Sequence, residues 1–424
     1  MTGTTSSYQE RLRDTASGFF QQYVLAFVMV ASYFGSGSIF IASSAGVRFG
    51  YALLWAVVGA ALLGFIAQNM SARLGIFGEP LMVFIRRKLG GRLATALALV
   101  LSSGCLLWAF ELTAAVGKGM SLLLGGAVGW MPLAFLSGLA AVAVGVLNYE
   151  GIEQLMTTMM IGLLIVYLAV TGTTAPPLSS VVSWFVPTVP SVGALTLVAS
   201  ILGTTALWPN FFLESNLVGE KGWTGISDIA PMRRDLSIGY AVGGVTTTAI
   251  LVLAAAVLQP AGYTELETFL TPGLALGTVL GEWARTVFLV GAVAAAFNSI
   301  IPIMWTPSYL IQHARGKEAD SANRSFKLIY AVLVTVSGLS PLITVFFGLG
   351  IIDMILLFPA YNAIVGLPIT AVFLFWTVND SNVMGEHRNS RLLSAVNAAL
   401  VLLAIVSAAT SLPGVVNALV SGGL

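Results

Sequence analysis

The sequence holds one cysteine and two histidines in 424 residues, and only 9% of it is charged. With no second thiol, Cys105 can form no internal disulfide. His313 and His387 lie too far apart in the chain to suggest a metal pair. A soluble domain carries about 25% charged residues, so the shortage of charge excludes a soluble enzyme and a nucleic-acid binder. The net charge of +1, from 19 basic and 18 acidic residues, points to no partner. What the chain does have is apolar residues: 57% are hydrophobic and the mean hydropathy is +0.92.

Cut at every Lys, Arg, Asp and Glu, the chain leaves ten uncharged runs of 18 or more residues. About 20 apolar residues cross the hydrocarbon core as a helix, so each run suffices for one span. The run 154–213 is interrupted by Pro176, Pro177, Pro187 and Pro190 and is counted as two. The expectation is an all-α integral membrane protein of eleven spans: 20–47, 50–70, 93–116, 128–147, 155–172, 195–218, 237–259, 278–311, 327–348, 353–377 and 393–411. Residues 1–19 form an N-terminal segment, 20–411 one membrane domain and 412–424 a tail. The polar residues before the first span argue against a cleavable signal peptide. With the N-terminus inside, 16 of the 19 basic residues fall on the inner side, leaving Arg48, Lys118 and Arg285. The positive-inside rule then places the N-terminus in the cytoplasm and the C-terminus outside, in a plasma (inner) membrane.

The first span contains Phe34-Gly35-Ser36-Gly37-Ser38 at its middle, and the sixth contains Gly203-Thr204-Thr205-Ala206-Leu207-Trp208-Pro209-Asn210. Glycine and proline at membrane depth free backbone groups that protein, water or a ligand must satisfy. Interruptions five spans apart fit an inverted five-plus-five repeat with substrate between two discontinuous helices. Repeat one would cover about 20–172 and repeat two about 195–377, with 393–411 an extra helix. The competing readings are close helix packing at the glycines and a plain kink at Pro209.

Several stretches carry a resemblance: Phe49-Gly50-Tyr51-Ala52-Leu53-Leu54-Trp55, Ala72-Arg73-Leu74-Gly75-Ile76, Leu367-Pro368, and Met384-Gly385-Glu386 with Asn389-Ser390-Arg391-Leu392. On these the chain resembles the NRAMP family of divalent-metal transporters, which implies the leucine-transporter-type fold. The family's metal chemistry does not carry over. Its Asp-Pro-Gly-Asn motif falls on Gly35-Ser36-Gly37-Ser38, and its Met-Pro-His motif on Leu207-Trp208-Pro209. The carboxylate, amide and thioether donors that bind divalent metals are missing, and stripping water from a doubly charged ion without an anionic ligand is costly. The Gly-Ser-Gly-Ser run looks instead like the glycine-rich break of amino-acid permeases of this fold, where free amides receive a carboxylate. On that reading Gly37 holds a backbone conformation cheap only for glycine. Trp208 would supply an apolar or cation-π surface, or else an aromatic gate.

Intramembrane polar residues complete the candidates. Glu111 lies seven residues before Lys118 on roughly one helical face, as a proton carrier or half of a structural pair. Glu214 stands where the NRAMP pattern has a second His. Asn298 and Ser299 in span 8 could hold sodium against span 1, as in several members of the fold, or hydrogen bond between helices. Tyr361 and Asn362 neighbour the position of a Gln that approaches the family's substrate, and Asn210 completes the pocket set. The leading expectation is a secondary transporter, coupled to H+ or Na+, for a small carboxylate-bearing organic solute. The alternatives are import of manganese, iron or magnesium through a site rebuilt on Glu111 or Glu214, and a transport-inactive receptor or regulator. No cofactor is implied, and no nucleophile, base and orienting group cluster in the sequence to suggest an enzyme.

Overall fold

The structure, a computed structural model, describes residues 24–147, 149–174, 186–188, 190–266 and 268–421. The segment 1–19, the start of the first span, and Pro176 and Pro177 lie outside them. Among the described residues there is helix and no strand. In chain order the helices are α1 (Val24–Tyr33), α2 (Ser36–Phe49), α3 (Leu54–Phe77), α4 (Leu81–Leu89), α5 (Gly91–Leu123), α6 (Trp130–Gly145), α7 (Tyr149–Thr173), α8 (Val192–Thr205), α9 (Trp208–Glu220), α10 (Ile229–Leu253), α11 (Thr271–Leu280), α12 (Glu282–Ala314), α13 (Arg324–Ser337), α14 (Ser340–Phe347), α15 (Ile351–Tyr361), α16 (Leu367–Asn379) and α17 (Arg391–Ser421). Wider π-helical turns, Ala254–Leu258 and Asn362–Gly366, extend α10 and join α15 to α16.

Helix lies along the described part of every expected span. By length and composition six of the described helices can cross a membrane, or eight if each bent pair is one span. The gap from eleven comes from interruptions and short helices. Span 6 is cut into α8 and α9, of 14 and 13 residues, and span 4 is covered by α6, of 16 residues, while span 11 lies within α17, of 31 residues. Spans 1 and 9 bend by 63° and 42°.

Several boundaries shift by up to about one to two turns, α3 running to Phe77 and α5 to Leu123 among them, and three shifts change what a segment does. Gly281 has a φ of 97°, a left-handed conformation that glycine tolerates, so residues 278–280 end α11 and span 8 starts at Glu282. α10 starts at Ile229 and carries Asp235, expected in a connecting loop, into the buried interior. α17 continues past residue 411 to Ser421.

Apolar helices gain nothing from burial against each other in lipid, so close packing through small residues holds them together. α1 meets α10 at Gly239, where a Cβ would lie 2.9 Å from both the Cβ and the carbonyl oxygen of Ala26. We expect Gly239→Val to cost about 1–3 kcal/mol by overpacking. Thermal unfolding in detergent tests this against Gly162→Val, a mid-helix site with nothing within 4 Å. An equal shift in both variants would trace the loss to helix propensity and not to the α1–α10 contact.

Candidate functional site at two helix breaks

α1 stops at Tyr33 and α2 restarts at Ser36, after Gly35 in an extended conformation (φ −117°, ψ −163°). What demands glycine there is space: a Cβ would sit 3.0 Å from Ser299 Oγ and 3.2 Å from Leu112 Cδ2. Gly37 is already in the first turn of α2, so the glycine-only backbone expected of it is not found. Its bare face points across the gap to the Thr204 methyl, 3.9 Å from an ideal Cβ. The second break runs through Ala206 and Leu207, whose backbones leave the helical region. Pro209 then falls in the first turn of α9, where its missing N–H is not needed.

A helix end leaves its terminal backbone groups without intrahelical partners. At the carbonyl end of α1, side chains answer two of them: Ser299 Oγ donates to Ala31 O (2.6 Å) and Ser38 Oγ to Tyr33 O (2.6 Å), while the Phe34 N–H donates to Val30 O (2.9 Å) and Asn210 Nδ2 adds a bond to Met29 O one residue earlier (3.2 Å). The Ser32 hydroxyl in turn donates to Asn210 Oδ1. The amide end of α2 differs. Its first backbone bond is Ile39 N–H to Gly35 O (3.2 Å), so the N–H groups of Ser36, Gly37 and Ser38 precede the ladder. That end carries partial positive charge. Beside it, the fully buried carboxylate of Glu111 on α5 accepts the Ser36 hydroxyl through Oε1, while Oε2 has no hydrogen-bond partner among the described residues. The breaks therefore present a capped carbonyl pole, an open amide pole, and one carboxylate next to the latter.

Trp208 and Asn362 come together, but on each other. The indole N–H donates to Asn362 Oδ1 (2.9 Å), and Asn362 Nδ2 donates to Gly104 O and Phe358 O (both 2.9 Å). The indole occupies the space of the side chain that Gly366 lacks. The ring is thus a fixed wall between α5, α9 and the π turn at Asn362. Leu207 is buried beside it and offers no polar atom. Tyr361 points elsewhere, its hydroxyl 3.1 Å from Ser103 Oγ near the exposed side of α5.

Among the coupling candidates, Glu214 accepts from Gln68 Nε2 (2.9 Å), and Gln68 Oε1 accepts from the Tyr240 hydroxyl (2.6 Å). Gln68, Tyr240 and the buried Asp235 were missed in the sequence. A span-internal amide such as Gln68 was the available signal, and cutting the chain at charges passes over it. Asn298 is buried with neither side-chain polar atom hydrogen bonded among the described residues, whereas Ser299 is engaged with Ala31. The expected kinship of Glu111 and Lys118 is corrected: Glu111 is fully buried, while Lys118 is exposed close to the end of α5.

The breaks are sealed on one side and reachable on the other. Every residue from Leu25 to Ser36 and from Thr205 to Val218 is buried, while Gly37, Gly203 and Thr204 are partly exposed. Among the described residues no three His, Cys, Asp or Glu side chains gather as a metal-binding group.

A family model described as Nramp, natural resistance-associated macrophage protein-like, matches residues 26–413. The chain belongs to the Nramp family. One relative, the divalent metal cation transporter MntH of Yersinia enterocolitica, is 26% identical over 390 residues, covering 90% of this chain and 91% of its own length. Among solved structures, a mutant of the Eremococcus coleocola manganese transporter matches with a TM-score of 0.79 at 18% identity, over 94% of this chain and 88% of that one. MhsT in complex with L-phenylalanine matches with a TM-score of 0.61 at 16% identity, over 93% and 98%. These likenesses show the leucine-transporter-type fold. As an Nramp protein the chain is an integral membrane transporter and not an enzyme.

Proposed function

We propose that this Nramp protein is a proton-coupled secondary transporter of a small organic solute bearing a carboxylate, working by alternating access. The observation that carries the reading is the polarity of the first break: its carbonyl pole is capped by Ser299 and Ser38, with Asn210 bonded one residue earlier, while its amide pole is open beside Glu111. Capped carbonyls are poor cation ligands, and free amides at a helix N-terminus favour an anion. In this reading the solute lies between Gly35–Ser38 and the wall made by Leu207 and Trp208, with Asn210 and Asn362 supporting the pocket from behind and Tyr361 outside it. The bundle is an inverted repeat of 20–172 and 195–377 within eleven spans, N-terminus inside and C-terminus outside. In that orientation the reachable side of the breaks faces outward.

Glu111 is the leading proton carrier, with Glu214 second. A sodium ion held by Asn298 and Ser299 is the next candidate for coupling, supported by the unsatisfied amide of Asn298.

The second reading is divalent-metal import through a rebuilt site, favoured by the relatives named divalent metal cation transporters. The donors left for it are Glu111 and serine hydroxyls, without sulfur or imidazole. Proteoliposome uptake of manganese and of labelled amino and organic acids separates the two. We expect negligible manganese uptake and proton-driven accumulation of an acid. Micromolar manganese binding that vanished in Ser38→Ala would overturn the organic reading.

A further inference from the structure

We propose that Arg86, Arg92 and Arg315 form a binding site for the phosphate headgroup of an anionic membrane phospholipid. The three arginines line one cavity of about 670 Å³, with Gly91, Thr95 and Ala314 completing its wall. It lies where α4, the start of α5 and the end of α12 meet, on the face to which the span reading assigns most of the basic residues.

The local charge balance singles these three out. The basic run around them also contains Arg87 and Lys88, and both are neutralised: Arg87 by Glu79 (2.5 Å) and Lys88 by Asp380 (2.7 Å). Lys88 and the Asn382 backbone amide hold the Asp380 carboxyl below its usual range. Among the described residues, Arg86, Arg92 and Arg315 have no carboxylate within 4 Å. Three uncompensated guanidinium groups around one hollow repel one another, and an anion placed between them relieves that repulsion.

The cavity is built as well as charged. Arg86 Nη1 donates to Ala314 O (2.6 Å), fixing the guanidinium against the last turn of α12. Arg92 and Arg315 are exposed and can close on a ligand from either side. A guanidinium presents a planar fork of donors that matches phosphate geometry.

A lipid is the occupant because of what adjoins the cavity. Leu93, Leu99 and Val100 on α5 are exposed immediately beyond Arg92. This apolar strip continues from the arginines along a span, where an acyl chain would lie once its headgroup is seated. A free phosphate would leave it unused. Basic pockets between membrane helices at the anionic leaflet are suited to such headgroups.

The test is native mass spectrometry of the full chain purified in detergent and titrated with phosphatidylglycerol, phosphatidylcholine or inorganic phosphate. The unmodified protein should retain phosphatidylglycerol in preference to phosphatidylcholine. Arg92→Ala combined with Arg315→Ala should weaken phosphatidylglycerol binding about tenfold or more, by loss of two of the three guanidinium charges that face the headgroup. Both residues are exposed, so the variant keeps its fold. Arg391→Ala, an exposed arginine outside the cavity, should bind as the unmodified protein does. Undiminished phosphatidylglycerol binding in the double variant would overturn the proposal. So would displacement of the lipid by equimolar inorganic phosphate, which would mark a site for the free anion.

Discussion

Glu111→Gln should abolish accumulation of the solute against its gradient while leaving exchange at equal pH close to normal. The substitution keeps the shape of the side chain and an oxygen to accept the Ser36 hydroxyl, but it carries neither charge nor a transferable proton. In the unmodified protein an ionised Glu111 and an incoming carboxylate compete for the same amide end of α2. Two such charges roughly 5 Å apart, at an effective dielectric constant near 20, repel by about 3 kcal/mol, which is on the order of a hundredfold in affinity. On the proposed reading the anion therefore enters with a proton on Glu111, and that requirement is the coupling. Glu214→Gln is the comparison, because Glu214 faces Gln68 and Tyr240 and has no hydrogen bond to the break. Full proton-driven accumulation by the Glu111 variant would move the proton to Glu214, and undiminished accumulation by both variants would move coupling elsewhere, with a sodium ion at Asn298 and Ser299 next in line.

Local chemistry explains which features could be read from the sequence. A helix that must cross lipid announces itself by an uncharged run, and one that must open announces itself by glycine or proline inside that run; both breaks were legible for this reason. Their detail was not. Whether the chain bends at Gly35 or Gly37 depends on Ser299 and Leu112, which approach from other helices. The pairing of Trp208 with Asn362 spans 154 positions, and no periodicity reports such a contact. Helical spacing put Glu111 and Lys118 on one face correctly, but a face can be buried at one level and exposed two turns on. The boundary before span 8 falls at Gly281, whose φ of 97° ends α11, and the charges at Glu282 and Arg285 just after it were the available signal.

Gly37→Ala should weaken solute binding sharply without loss of stability. Gly37 is helical, where alanine is favoured over glycine by about 1 kcal/mol, and the nearest obstacle to the added methyl is the Thr204 methyl at 3.9 Å. The added methyl meets the Thr204 methyl at ordinary contact distance, so the fold accepts the substitution; a solute lying against Gly37, as proposed, would not. Overpacking a fitted site costs about 1–3 kcal/mol, so affinity should fall roughly tenfold to a hundredfold while the thermal midpoint holds or rises. Gly35→Ala should behave differently. Its Cβ would press on Ser299 Oγ at 3.0 Å, disturb the cap on Ala31 O, and lower stability and binding together. Calorimetric affinity and thermal midpoint, measured on both variants with the acid identified by uptake, separate occupancy of the gap from packing. An amide analogue of that acid should bind the unmodified protein weakly. If Gly37→Ala binds the acid as tightly as the unmodified protein, the solute does not lie between α2 and α8, and the small residues there serve only the close approach of the two half-helices.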